Sequence, residues 1–154
     1  MNILKVIFAA PRPSKINDMP ATVTRWWKRE NFSALTFFGY ILTSGENIAN
    51  HLNGRFDALK NHEMIHLRQA QDTHNSWFCF YARYLWYSLL AMRYYRKLPK
   101  ASYYLNPFEM EAYLNMNDLH YLRGLDNGTS GWREYARMPL RERLTIMKKY
   151  LHTE

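Results

Sequence analysis

A run of five residues, His-Glu-Met-Ile-His at positions 62–66, constrains the fold of this chain more than any other feature of its sequence. Residues four apart lie on one face of an α-helix, so His62 and His66 can point at a common ion only if the run is helical. Asp57 is a good N-cap, and we therefore predict a helix over residues 57 to about 72. Two neutral imidazoles at this spacing suit Zn²⁺.

Glu63 adds a base to this motif. It lies about 100° round the helix from His62, beside a bound metal rather than on it, where a carboxylate can take a proton from a metal-activated water. The ordinary alternatives are a chance match, on the order of 1% for a chain this long, and a solvated polar face. The apolar neighbours of the histidines favour a packed helix and a metal site; they are Leu59, Ile65, Leu67 and Ala70.

A third ligand is expected from a later helix. We predict this helix from Asn106 to about residue 123, because Asn is a good N-cap and the Pro that follows it is tolerated at the first helical position. It carries two acids, Glu109 and Glu111, which lie about 200° apart round the helix, so only one can face the metal. Helical periodicity does not choose between them, and Glu109 could instead complete a capping box with Asn106.

These motifs resemble a family. His-Glu-x-x-His followed downstream by Glu-x-x-Ala is similar to the gluzincin metallopeptidases. NHEMIHLRQAQD resembles the zinc helix of antibiotic-sensing integral-membrane peptidases, and FEMEAY resembles the glutamate helix of those enzymes and of the prenyl-protein endopeptidases. The order ALTFFGYI, NHEMIHLRQ, FYARYLWY and NPFEMEAYLN is most similar to small bacterial gluzincin-like proteins of the Bacteroidetes type, over about residues 33 to 123.

The resemblance implies a ligand set and its supporting residues. Zinc is expected on His62, His66 and Glu109, with Glu111 kept as the alternative ligand. Tyr113 stands at the family's second acidic position, where the family orients a zinc histidine, and this departure leaves room for a domain without catalysis. Gln69 lies close to the histidine face and is expected either to hydrogen-bond a ligand or to be an ordinary interior amide.

The rest of the pattern predicts an α+β fold that is mostly helical, as one domain over residues 1–154. The resemblance implies a zincin-like arrangement with a small sheet, whose edge strand lies beside the His-Glu-x-x-His helix and can pair with an extended peptide. The remaining predicted elements are strands over residues 3–9 and 34–43, helices over 22–30, 76–96 and 139–151, and a loop over 126–131.

Composition narrows the function classes. The single cysteine, Cys79, excludes an intramolecular disulfide framework and a cysteine-based zinc cluster. The chain has 21 Lys+Arg against 13 Asp+Glu, a net charge of +8, which allows an anionic membrane surface as a partner. No nucleic-acid motif is present, which argues against nucleic acid. No secretory signal or spanning segment is convincing, so a cytoplasmic or membrane-peripheral protein is expected.

The aromatic helix predicted over residues 76–96 bears Arg83, Arg93 and Arg96. We favour a packed core helix with a basic end, and the alternative is a helix at a membrane surface. Trp26 and Trp27, beside Lys and Arg, could belong to the same surface.

The sequence therefore predicts a zinc metallopeptidase acting on a peptide or protein substrate, with Glu63 as general base. Two alternatives remain: a non-catalytic zinc-binding interaction domain of the same fold, and a basic binder of membrane surfaces or nucleic acid. Five residues are unranked candidates for stabilising the transition state: Tyr103, Tyr104, Tyr113, His120 and Arg123. The other histidines lack partners at ligand spacing, and each is expected to be a surface or a satisfied core histidine rather than a ligand: His51, His74, His120 and His152.

Overall fold

A computed structural model describes residues 21–24, 34–125 and 128–153 of the chain. Within these ranges the fold is mostly helical α+β with one small sheet. The strands are β1 (Ala21–Val23), β2 (Ala34–Phe37) and β3 (Tyr40–Thr43). The helices are α1 (Glu46–Gly54), α2 (Ala58–Asp72), α3 (Trp77–Ala91), a 3₁₀ turn (Met92–Tyr94), α4 (Ala101–Tyr104), α5 (Pro107–Asn115), α6 (Trp132–Arg137) and α7 (Leu140–Thr153).

The sheet has the order β1-β3-β2, with β1 parallel and β2 antiparallel to β3. The prediction of one strand over residues 34–43 was wrong, because the chain reverses at Phe38 and Gly39. Their φ values of 44° and 85° are both left-handed, as a two-residue hairpin turn requires. Phe-Gly is not a typical pair for this turn, and Phe38 is held in it by packing against the rings of Trp77 and Tyr81. Among the described strands, β2 thus lies at an edge of the sheet.

The first predicted elements had a mixed outcome. The helix expected over residues 22–30 was wrong at its start, where residues 21–23 form strand β1 in register with Ile41, Leu42 and Thr43 of β3. Its remainder, with Trp26 and Trp27, lies outside the described residues, as does the strand expected over residues 3–9. Helix α1 follows directly after the sheet and was not predicted; it is nine residues long and buries only Ala49 and Leu52.

Helix α2 confirms the helix predicted around the histidine pair. Asp57 is its N-cap and accepts a hydrogen bond of 3.0 Å from the Lys60 N–H. The helix is buried on all sides from Asn61 to Gln71, so its polar side chains must find partners inside the protein. Helix α2 supplies His62, Glu63, His66 and Gln69, the side chains on which the candidate site is built.

The helix that carries the two candidate acids is shorter than predicted. Helix α5 begins at Pro107 after the Asn106 cap, whose side chain accepts from the Phe108 N–H, and it ends at Asn115 rather than near residue 123. Its last carbonyls turn toward α2, where Asn61 Nδ2 lies 2.9–3.2 Å from the backbone oxygens of Asn115, Met116 and Asp118. A buried side chain on another helix therefore ends α5.

Helix α3 begins after the Ser76 cap and ends at Ala91, where a 3₁₀ turn replaces the predicted continuation to residue 96. Two apolar clusters fill the described interior. One joins the sheet, α2, α3 and α5 and includes Ile41, Leu52, Leu67, Phe80 and Phe108. The other lies under α7 and includes Leu105, Met110, Leu144 and Met147. Among the described residues, no helix is both long and apolar enough to cross a membrane.

Candidate metal centre

Helices α2 and α5 bring three potential ligands together. His62 and His66 project from successive turns of α2, and their Nε2 atoms lie 3.2 Å apart. The Glu109 carboxylate, from the first turn of α5, places Oε2 at 3.4 Å from His62 Nε2 and Oε1 at 3.4 Å from His66 Nε2. All three side chains are buried. The ligand atoms lie within 4.8 Å of one another, so the group could hold a metal ion.

The electrostatics of the group match a cation site. Burial lowers the pKa of His66, but the Glu109 carboxylate outweighs burial, and the net effect raises that pKa to about 9. Burial likewise opposes ionisation of Glu109, yet the two histidines hold the pKa of its carboxyl well below the usual range. The site thus keeps a buried negative charge facing two imidazoles, where positive charge is favoured.

Two buried polar atoms of the ligand group indicate which kind of ion it would bind. Among the described residues, neither His62 Nδ1 nor Glu109 Oε2 has a hydrogen-bond partner. Leaving such atoms unpaired inside a protein costs free energy, and a metal ion bound to the carboxylate would satisfy Glu109 Oε2. Two imidazole nitrogens and a carboxylate oxygen form a donor set that suits zinc and related divalent ions. The residues therefore fit a metal of this class, and the geometry does not name which one.

The structure separates the two candidate acids. Glu109 faces the histidine pair and accepts a 2.6 Å hydrogen bond from the Tyr84 hydroxyl. It does not complete a capping box, because the Asn106 N–H donates to the Tyr103 carbonyl instead. Glu111 is completely buried on another side of α5 and is not in the ligand group.

Glu111 nevertheless reaches the site through one intervening side chain. His66 Nδ1 lies 2.9 Å from Gln69 Oε1, and Gln69 Nε2 donates to Glu111 Oε2 at 2.7 Å and to the Phe108 carbonyl at 2.9 Å. Gln69 thus contacts His66, one of the candidate ligands. The chain of contacts runs from His66 through Gln69 to Glu111.

Glu63 lies next to the ligand group and is also buried. Its Oε2 accepts a 2.6 Å hydrogen bond from the Thr36 hydroxyl of strand β2. Both residues line a cavity of about 120 Å³ whose wall also includes the ligand side chains. The cavity walls come from β2, α2, α3, α4 and α5. A carboxylate, a possible donor set for a metal and strand β2 therefore meet at one cavity.

Tyrosines form much of the remaining wall. Burial and the neighbouring Glu109 charge raise the pKa of both Tyr84 and Tyr103, so each hydroxyl stays protonated. Tyr103 lines the cavity and receives a hydrogen bond from Tyr113, whose ring packs on His62 at 4.6 Å between centroids. Tyr113 therefore contacts His62, a candidate ligand, through its ring, at the position where the family that the sequence resembles has an acid.

The other sequence candidates lie away from the cavity wall. Tyr104 packs in the second apolar cluster, and His120 and Arg123 are exposed. His51 pairs with Asp57, and His74 accepts from Arg83. Sequence reasoning missed Thr36, Tyr81 and Tyr84. Thr36 precedes His62 by 26 residues, and the two tyrosines follow His66 by 15 and 18 residues. No local sequence pattern marks any of the three as part of the site. Only the three-dimensional contacts reveal them.

Comparison with known proteins adds no name to this site: no family model, no curated protein and no solved structure matches the chain. The resemblance seen in the sequence is thus supported by the buried His62, His66 and Glu109 group alone.

Proposed function

We propose that the protein is a zinc-dependent metallopeptidase. The observation that carries this proposal is that Glu63 and the buried group of His62, His66 and Glu109 line the same cavity. A divalent ion held by these three side chains would polarise a carbonyl oxygen and lower the pKa of water. A general base beside such an ion is the combination that hydrolysis of a peptide bond needs.

The chain's own residues would divide the remaining work. Glu63 would accept a proton from the attacking water and return it to the leaving amine as the C–N bond breaks. The Thr36 hydroxyl holds the Glu63 carboxylate in place at 2.6 Å. The Tyr84 hydroxyl fixes Glu109, and Tyr103 brings a protonated phenol to the cavity wall, where it could donate to a developing oxyanion.

The metal assignment is tested with purified protein by elemental analysis. One equivalent of zinc is expected, and the double variant His62→Ala, His66→Ala should lose it. A matched control removes two histidines that lie outside the ligand group, His120 and His152. Unchanged zinc content in the first variant, or equal loss in the control, would contradict the site.

Catalysis is tested with a peptide library and the Glu63→Gln variant. The substitution should keep zinc and abolish hydrolysis, because an amide has the carboxylate's shape but cannot accept the proton. Turnover by the variant equal to that of the wild type rules out Glu63 as the base.

One observation favours a second candidate, a zinc-binding interaction domain without catalysis. The backbone carbonyl of Thr36 on the edge strand already accepts a hydrogen bond of 3.1 Å from the Tyr81 hydroxyl. An extended peptide pairing with β2 would have to displace this bond. A zinc-loaded protein that cleaves no member of the library would support this second candidate.

A further inference from the structure

The outer side of helix α3 exposes large apolar side chains along its whole length. Phe78, Leu85 and Leu89 recur at helical spacing on one face, with Trp86 beside them, and the row continues into Met92 and Tyr95. Each of these six side chains is between 53% and 66% exposed. Single exposed apolar residues are ordinary, but a continuous row marks an interaction surface. We call these six residues the α3 face.

Charge identifies the partner of this face. The sequence has no Asp or Glu from residue 73 to residue 108, and the same stretch carries five basic residues: Arg83, Arg93, Arg96, Lys97 and Lys100. Arg93 lies between Met92 and Tyr95 at the end of the apolar row, and the last three follow that row. Apolar and aromatic side chains next to basic ones, without acids, match a bilayer whose headgroups are anionic.

We propose that the α3 face docks on the surface of an anionic phospholipid bilayer. Trp86, Leu85 and Leu89 enter the boundary between headgroups and acyl chains, and the basic end of the helix contacts the phosphates. The helix lies along the surface and does not cross it. This docking is independent of the metal site and of any hydrolysis.

Vesicle sedimentation tests the docking. The full chain should bind phosphatidylserine-containing vesicles, with weaker binding to pure phosphatidylcholine and at high salt. The variant Arg93→Ala, Arg96→Ala should lower the partition coefficient by about 30-fold, since each basic side chain contributes about fivefold. The variant Leu85→Ser, Leu89→Ser should lower it by about tenfold or more.

The matched control removes two exposed basic residues from helix α7, Arg141 and Lys148, which should leave binding within about twofold of wild type. Equal losses in this control would reduce the binding to general charge attraction and overturn the proposal. Absence of binding to anionic vesicles would also overturn the proposal. A dimer in solution that the Leu85→Ser, Leu89→Ser variant dissociates, without vesicle binding by the wild type, would assign the face to a second copy.

A second inference comes from the buried contacts behind His66 and rests on the metal site of the proposed function. We infer that Glu111 is a positioning residue that sets the orientation of His66 through Gln69. The amide of Gln69 can adopt only one orientation, because its Nε2 faces two acceptors, Glu111 Oε2 and the Phe108 carbonyl. Its oxygen must then face His66 Nδ1, which carries the proton and leaves Nε2 toward the ligand group.

Glu111 is itself held tightly enough to act in this way. Its Oε1 accepts from the Tyr121 hydroxyl at 2.6 Å and also from the Thr129 hydroxyl. Gly131 lies so close that a Cβ there would come within 2.6 Å of Glu111 Oε1. Three donors and a glycine contact therefore hold a buried carboxylate that touches no ligand directly.

The chain of contacts from His66 through Gln69 to Glu111, which we call the relay, is tested by a double-mutant cycle on zinc affinity. Gln69→Met and Glu111→Met should each weaken zinc binding by 10- to 100-fold, roughly. The double variant should be no weaker than the weaker single variant, because both remove the same contact chain. Glu111→Gln should keep near-normal affinity, since its amide oxygen can still accept from Gln69 while the two hydroxyls rotate. Multiplicative losses in the double variant would overturn the relay.

A spectroscopic readout separates this inference from the metal site. The imidazole Nδ1–H resonance of His66, assigned by its loss in His66→Ala, should exchange slowly with and without zinc, and it should lose protection in Glu111→Met. Should Glu111→Met fail to fold, Gly131→Ala provides the same test by displacing the carboxylate. A protected resonance in the variant overturns the relay, whereas absent zinc binding contradicts the proposed function.

Discussion

Tyr84 shows how much of the candidate centre depends on single side chains outside the ligand group. Its hydroxyl is the donor that Glu109 Oε1 accepts at 2.6 Å, and it reaches the carboxylate from helix α3, which supplies no ligand. Removing the hydroxyl would take away the hydrogen bond that fixes one oxygen of the carboxylate. A ligand that can rotate binds a metal less tightly than one held in place.

We expect Tyr84→Phe to weaken zinc binding by about tenfold while leaving the fold intact. Competition titration against a chelator of known affinity measures the change, and circular dichroism monitors the fold. Tyr87→Phe is the matched control, because Tyr87 lies on the same helix but packs on Phe108 and Trp132 instead. Equal affinity of Tyr84→Phe and wild type would remove Tyr84 from the site.

A different result is expected for Thr36, because it contacts the proposed base Glu63 and none of the three candidate metal ligands. Thr36→Val keeps the shape of the side chain and removes the donor to Glu63. Zinc content should stay unchanged, and hydrolysis of a cleaved peptide should fall by about tenfold. Thr36→Ser, which retains the hydroxyl, should restore most of the rate; a Ser variant as slow as the Val variant would contradict this role.

At the scale of elements, helix α2 depends on its first turn. Asp57 caps the helix by accepting from the Lys60 N–H, and His51 approaches the same carboxylate from α1. We expect Asp57→Ala to lower the free energy of unfolding by about 1 kcal/mol, measured by urea denaturation. His51→Ala, which leaves the cap in place, should lower the free energy of unfolding by less. A larger loss in His51→Ala than in Asp57→Ala would contradict the assignment of Asp57 as the stabilising cap.

The same cap gives a pH dependence. Burial alone would raise the pKa of Asp57, but the Lys60 N–H and His51 outweigh burial and lower it below its ordinary value of 3.8. A carboxylate whose pKa is lowered by folding stabilises the fold above its unfolded-state pKa and loses that contribution as the pH falls through the folded value. The difference in stability between wild type and Asp57→Ala should therefore shrink below about pH 4. A stability difference that grows as the pH falls would contradict this role of the Asp57 carboxylate.

Elements set by local chemistry could be predicted, and elements set by distant contacts could not. Asp57 and Asn106 are strong caps, so the starts of α2 and α5 follow from the sequence. The end of α5 depends on Asn61, about 54 residues earlier, and the hairpin turn depends on Phe38 packing against α3. For the same reason the motif marked His62, His66 and Glu63, while Tyr84 and Thr36 emerged only from the fold.

At the scale of the whole molecule, the candidate centre joins two helices that are distant in sequence. His62 and His66 come from α2 and Glu109 from α5, so a bound ion would link two helices that both contribute to the larger apolar cluster. Such a link exists only in the folded state. An ion that binds the folded chain and not the unfolded chain stabilises it by mass action.

Zinc should therefore raise the thermal stability of the protein. At a free concentration about 100 times the dissociation constant, we expect a gain of about 2.7 kcal/mol in the free energy of unfolding. Differential scanning fluorimetry with and without a chelator measures the shift. The variant His62→Ala, His66→Ala should show none, and a shift of wild-type size in that variant would place the bound zinc elsewhere.

The Tyr81 hydroxyl connects two of the elements that line the cavity. From α3, its hydroxyl donates to the Thr36 carbonyl and accepts from the Phe38 N–H, so one oxygen joins the helix to both the edge strand and its turn. Strand β2 and helix α3 both line the cavity. They can part at this point only if both hydrogen bonds break, so Tyr81 holds two parts of the cavity wall together. The helix that bears the α3 face is thereby tied to the strand whose Thr36 hydroxyl holds Glu63.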